Sequence, residues 1–118
     1  MRNGSKGLLI ACAVASLCTL APGAAGQPYP SRPIRMIVPF APGGGTDVTG
    51  RIVSQKLAEQ LGVSFVVENR PGAGSIIGTE VVARAAPDGY TLMTISPEFS
   101  IHPSLQPKLP YDPLKDFV

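Results

Sequence analysis

The sequence has no tryptophan, a single histidine (His102) and only two cysteines, Cys12 and Cys18, in 118 residues. One histidine and two cysteines are poor material for a metal centre or for nucleophilic chemistry. An excess of charge of one sign is also lacking, since ten Lys and Arg face eight Asp and Glu for a net charge of +2. A general nucleic-acid binder needs a basic face, so nucleic acid is excluded as a partner. Charged residues make up only 15% and apolar residues 44%, a balance unlike that of an unstructured chain. The longest apolar run, Leu8 to Ala21, is broken only by Ser16 and Thr19 and is too short to span a bilayer comfortably. What abounds is glycine and proline, thirteen of each, which predicts many turns and loops.

The apolar run has the flanks of a secretory signal. Arg2 and Lys6 supply a basic start, and Pro22-Gly23-Ala24-Ala25-Gly26 supplies a helix breaker and small residues suited to a signal peptidase. Residues 1–26 are therefore predicted to be a signal peptide cleaved after Ala25 or Gly26, with export to the periplasm. A buried N-terminal helix is the structural alternative. Leu9-Ile10-Ala11-Cys12 has a superficial likeness to a lipoprotein signal, but too few apolar residues precede the cysteine. Both cysteines lie inside this segment, so residues 27–118 have neither thiol nor disulfide chemistry.

Beyond the signal the chain alternates strand and helix patterns. Gln27 to Pro33 is an extended leader. Ile34 to Val38 is a short apolar strand ended by Pro39, which cannot donate to a central ladder. Phe40-Ala41-Pro42-Gly43-Gly44-Gly45 is a loop, and Thr46 or Asp47 can cap the helix that follows. Val48, Ile52, Val53, Leu57 and Leu61 keep a helical spacing and predict its inward face, with Gly62 closing it. Ser64 to Asn69 is a second strand by β-propensity. Arg70-Pro71-Gly72-Ala73-Gly74 is a second glycine loop, with Ser75 as an N-cap and Ile77, Val81 and Ala85 marking one face of a short helix. Pro87-Asp88-Gly89-Tyr90 is a turn before a third strand, Thr91 to Ser96. The proline-rich stretch from Pro97 onward predicts only loops and single helical turns. The order β-α-β-α-β, with crossovers long enough for parallel pairing, is half of a doubly wound α/β domain.

Ligands of open α/β sheets bind outside the carboxyl ends of the strands, where both glycine loops fall. Each precedes a helix N-terminus, whose free N–H groups and positive end favour a carboxylate or phosphate. Gly43, Gly44 and Gly45 let a ligand approach the backbone, while Thr46 offers a hydroxyl and Asp47 an acceptor. Gly72, Gly74 and Ser75 form a second set facing the same crevice. Asp47 is expected to cap the helix or orient the loop, because its charge would repel an anionic ligand. The competing explanation is that the glycines only make tight turns. A second rival is nucleotide binding, since Gly72-x-Gly74-x-x-x-Gly78 is close to a dinucleotide fingerprint, with Glu98 about twenty residues further on. The glycine spacing departs from that fingerprint, and no Walker A loop is present. Catalysis finds no constellation. His102 in a proline-rich loop reads as a solvated surface residue, and Arg70 can pair with a ligand carboxylate or with Glu68.

Four segments in fixed order carry a resemblance: Pro39-Phe40-Ala41-Pro42-Gly43-Gly44-Gly45-Thr46-Asp47, Glu68-Asn69-Arg70-Pro71-Gly72-Ala73-Gly74, Pro87-Asp88-Gly89-Tyr90-Thr91-Leu92 and Leu109-Pro110-Tyr111-Asp112-Pro113-Leu114-Lys115-Asp116-Phe117. Together they resemble the Bug family, the periplasmic substrate-binding proteins of tripartite tricarboxylate transporters. The resemblance runs from about Pro30 to the end of the chain. It implies a two-lobed receptor of the type II periplasmic-binding-protein kind, which closes on a small organic acid and works with the membrane permease components of the transporter. It implies no cofactor. In that family the loops after the first two strands hold a ligand carboxylate, partly through ordered water. Carried over, the ligand-binding residues are Phe40, Pro42, Gly43, Gly44, Thr46, Asp47, Gly72, Gly74 and Ser75.

Departures from the family pattern concern Ser75, where a further glycine is frequent, and Ile95-Ser96-Pro97, where small and amide-rich residues are frequent. Ser75 keeps its N–H, so the resemblance still implies binding there. Family members are also far longer, which implies that residues 27–118 are the N-terminal part of the first lobe. Taken alone, they are expected not to act as a receptor. An exported nucleotide-binding enzyme domain and a small exported structural protein remain the alternatives.

Overall fold

Strand β1, Ile34–Val38, is the most buried strand of the described residues, and Pro33 and Pro39 bracket it. Four of its five residues are buried, and Ile37 and Val38 are wholly so. The computed structural model describes residues 28–117; the predicted signal segment lies outside the described residues. Two further strands, β2 (Phe65–Asn69) and β3 (Thr91–Met93), pair in parallel with β1 on either side, giving the order β2-β1-β3. The register sets Ile34 against Phe65 and Val38 against Asn69, with Arg35 against Thr91. Parallel pairing puts every strand's carboxyl end on one edge. β3 is shorter than the expected Thr91 to Ser96: its last rung is Thr94 N–H to Ile37 O at 3.0 Å, after which the chain leaves for a helix.

Helix α1 spans Gly45–Leu61. It starts at Gly44, whose backbone is extended (φ −78°, ψ 167°), and no side chain caps it. This corrects the expectation that Thr46 or Asp47 is the N-cap. It ends as expected at Gly62, left-handed at φ 65°, whose N–H reaches Ala58 O at 3.0 Å. Its inward face also differs from expectation. Asp47, Gly50 and Ser54 are buried, whereas Val48, Ile52, Val53 and Leu61 are exposed. The reason is close approach: a Cβ on Gly50 would stand 3.0 Å from Thr94 Cγ2 and 3.1 Å from Val38 Cγ2, so only a stripe of small residues fits against the sheet.

Helix α2, Ile76–Ala83, repeats the pattern. Ile76, Gly78 and Thr79 face inward, and Ile77, expected to mark one face with Val81 and Ala85, is exposed. A Cβ on Gly78 would meet Pro39 Cβ at 2.6 Å and Arg70 O at 2.7 Å, which fixes that face against the end of β1. The turn before β3 ties down the leader. Tyr29 donates to Gly89 O at 2.8 Å, and Arg32 pairs with Asp88 at 2.7 Å while lying 4.1 Å from the Tyr90 ring centre.

A third helix, α3 (Glu98–Leu105), forms where only loops and single turns were predicted. It opens with tight bonds, Phe99 N–H to Ser96 O and Ser100 N–H to Pro97 O, both 3.1 Å. Pro103 lies inside it and removes one donor, a loss so short a helix tolerates. Phe99 stacks on Tyr111 at 6.2 Å, and Phe117 meets both rings edge-on at 5.3 and 5.9 Å. These contacts anchor the proline-rich C-terminal stretch.

Candidate ligand-binding site

Two loops leave the same sheet edge, one after β1 and one after β2. Arg70 N–H to Val38 O (2.8 Å) keeps the strand ends together up to the point where the loops part. Asn69 then ties the loops to each other: its amide Nδ2 donates to Phe40 O at 3.0 Å and to Asp47 Oδ1 at 2.8 Å. Asp47, only 3% exposed, also accepts from Gly43 N–H at 2.9 Å and from Arg51 Nε at 3.1 Å on both oxygens. Arg51 closes the ring through Nη2 to Asn69 Oδ1 at 3.0 Å. The Arg51 hydrogen bond, then the Gly43 N–H and the Asn69 amide, hold the Asp47 carboxyl at a pKa of about 2. Asp47 thus orients the loop, as the sequence suggested, and its charge is spent inside the protein.

With that carboxylate turned inward, the first turn of α1 stays open. Its leading N–H groups have no intrahelical acceptor, and no side chain caps them. Pro42, Gly43 and Gly44 beside them are exposed, while Phe40 and Thr46 are half-buried. The positive end of a 17-residue helix therefore faces outward through a loop with almost no side chains.

The second loop is bent in an unusual way. Gly72 (φ 133°), Ala73 (φ 49°), Gly74 (φ 62°) and Ser75 (φ 78°) follow one another with positive φ, the last three through a 3₁₀ turn. Left-handed backbone costs non-glycine residues such as Ala73 and Ser75 about 1–2 kcal/mol each. Such strain gathers at ligand clamps. Thr79 Oγ1 donates to Ser75 O at 2.9 Å and helps to hold it. Ser75 precedes α2 as predicted, but its side chain makes no capping bond. Gly74 is exposed, Gly72 half-buried and Ser75 buried.

Arg70 is used elsewhere. Its Nη2 pairs with Glu68 at 3.0 Å, and Arg35 meets the same carboxylate with two bonds of 2.8 and 3.1 Å. Arg35 first and Arg70 second hold the Glu68 carboxyl at a pKa of about 2. Of the two roles open to Arg70, the structure makes the ion pair.

His102 corrects the expectation of a solvated loop residue. It sits on α3, is 7% exposed, and places Nδ1 3.2 Å from the Tyr111 hydroxyl. Its Nε2 lies 3.7 Å from where a Cβ on Gly74 would stand. Asn69, Arg51 and His102 were missed in the sequence. An Asn closing a strand beside a glycine loop is a weak signal for Asn69, and Arg51 stands one turn after Asp47. For His102 there was none. A cavity of about 460 Å³ lies away from these loops, between the end of α2, β3 and the rings of Phe99 and Phe117. Its lining is mostly apolar.

Known proteins share this arrangement. A model of the family described as tripartite tricarboxylate transporter family receptor matches residues 49–118. Protein BugT of Bordetella pertussis is 50% identical over 92 residues, which are 76% of this chain and 28% of BugT. The solved periplasmic binding protein BugD superposes with a TM-score of 0.71 at 46% identity, over 75% of this chain and 29% of BugD. MatC from Rhodopseudomonas palustris, solved with bound malate, gives a TM-score of 0.67 at 40% identity, over 75% of this chain and 30% of MatC. The chain therefore spans less than a third of the length of these relatives.

Proposed function

Because the chain belongs to the tripartite tricarboxylate transporter receptor family, we propose that its two glycine loops grip a carboxylate of a small organic acid. The protein is then a periplasmic receptor that captures such acids and delivers them to the membrane permease components of its transporter. In this reading residues 1–26 are the export signal, and residues 27–118 form the N-terminal part of the first of two lobes. Its chemistry is binding, not catalysis.

One observation carries the reading: the uncapped first turn of α1 lies beside the left-handed loop before α2, on one sheet edge. A carboxylate there accepts N–H bonds from Gly44 and Thr46 on one side and from Gly74 and Ser75 on the other, while the Gly43 N–H stays on Asp47. Each such charge-assisted bond is worth about 1.5–3 kcal/mol. Phe40, Pro42 and Gly72 shape the rim. Asp47 does not repel the anion, because Arg51 compensates its charge. Malate bound to MatC makes dicarboxylic acids the first class to try.

The test is calorimetry of the full-length protein with malate and other dicarboxylic acids. Gly74→Val places a β-branched residue at φ 62°, where such side chains are outliers, and is expected to weaken binding about tenfold or more. Native protein that gives no heat with any organic acid sinks the reading.

A further inference from the structure

Resting on the carboxylate reading above, we propose that His102 supplies a side-chain donor to the bound acid, its Nε2–H reaching the carboxylate over Gly74. The Tyr111 hydroxyl lies 3.2 Å from Nδ1, and both residues are buried, at 6% and 7% exposure. Burial keeps the Tyr111 phenol protonated by raising its pKa, so this hydroxyl has a proton to donate. Where this hydroxyl donates to Nδ1, as the proposal requires, the neutral ring carries its proton on Nε2.

That second nitrogen has no partner among the described residues. It is not sealed off either, unlike the unpaired hydroxyls of Ser54, Thr94 and Ser96. The residue at 74 has no side chain, so the space over the loop beside Nε2 stays open. A nearly buried N–H left unpaired is costly, and a carboxylate on the second loop relieves it. The imidazole thereby adds a donor with a fixed direction to a site otherwise made of backbone, locked in place by Tyr111.

Two substitutions separate the roles of the ring. His102→Asn keeps an acceptor near Nδ1 for Tyr111 and loses the donor at Nε2. His102→Gln extends an amide N–H to the place of Nε2. In calorimetry of the full-length protein with malate, His102→Asn is expected to weaken binding about tenfold, and His102→Gln to restore it to within about threefold of native. Nitrogen-15 NMR of the ring in the native protein gives a second readout that needs no variant: the Nε2–H tautomer before malate, and a shift of Nε2 on its addition. Native-like affinity of folded His102→Asn, an Nδ1–H tautomer, or an Nε2 resonance unmoved by saturating malate overturns the assignment and leaves the receptor reading standing. Native protein that binds no organic acid removes both.

Discussion

Three groups converge on the Asp47 carboxylate: the Arg51 guanidinium, the Asn69 amide and the Gly43 N–H. Glu68 is held in a similar way by Arg35 and Arg70. Both acids titrate at about 2 in the folded protein, below their ordinary values near 4. The sign follows from linkage. A lowered folded pKa contributes stability that is complete above the unfolded value and is lost as pH falls through 4 toward 2. The melting temperature is therefore expected to be flat from pH 7 to about 5 and to drop steeply below 4. Asp47→Asn should lower it by several degrees at pH 7 and flatten the acid drop. A variant whose acid profile overlays the native one would show that the Asp47 knot contributes nothing. The same variant should weaken malate binding, because the first loop loses its tether to β2.

At the level of elements, both helices meet the sheet through glycine, yet the two glycines differ in what surrounds them. A Cβ at Gly78 meets the Pro39 ring and the Arg70 carbonyl at under 3 Å, neither of which can retreat. At Gly50 the neighbours are methyl groups of Thr94 and Val38 at 3.0 and 3.1 Å, which can yield by a few tenths of an ångström. Glycine-to-alanine in a helix gains about 1 kcal/mol of propensity, while overpacking costs about 1–3 kcal/mol. Gly50→Ala should therefore leave stability nearly unchanged, and Gly78→Ala should lower it by about 1–2 kcal/mol in urea melts. The reverse order would mean that α2 is not seated on Pro39.

At the level of the whole molecule, the small-residue stripes turn the larger apolar side chains of α1 outward. Ile52, at 58% exposed, Val66 on β2, Ile95 and Leu105 lie in the open, and β2 and β3 are both edges of the sheet. Unpaired edges and apolar patches are sites of association. Residues 27–118 produced alone are thus expected to bind a hydrophobic dye and to sediment as oligomers at micromolar concentration, without measurable malate binding. A monomer that leaves the dye dark would mean that the exposed patch is too dispersed to drive association. Ile52→Glu should reduce the association with little change in melting temperature, because its side chain is mostly exposed.

By itself the sequence determined the β-α-β-α-β order, the glycine stop at Gly62, the turn at Gly89, and the two loops at the carboxyl ends of β1 and β2. These features rest on local physics: proline removes donors, glycine accepts positive φ, and β-branched runs favour strands. Periodicity placed α1 correctly along the chain but not in rotation. Apolar spacing pointed to Val48, Ile52 and Leu61, and close approach at Gly50 chose the opposite face. Only the tertiary structure decided which cations spend themselves on Asp47 and Glu68, and that His102 is buried against Tyr111 beside Gly74. Those pairings join residues from 2 to 33 positions apart in the chain. The longer of them close only after the sheet has assembled, because no helical or strand period brings such partners together.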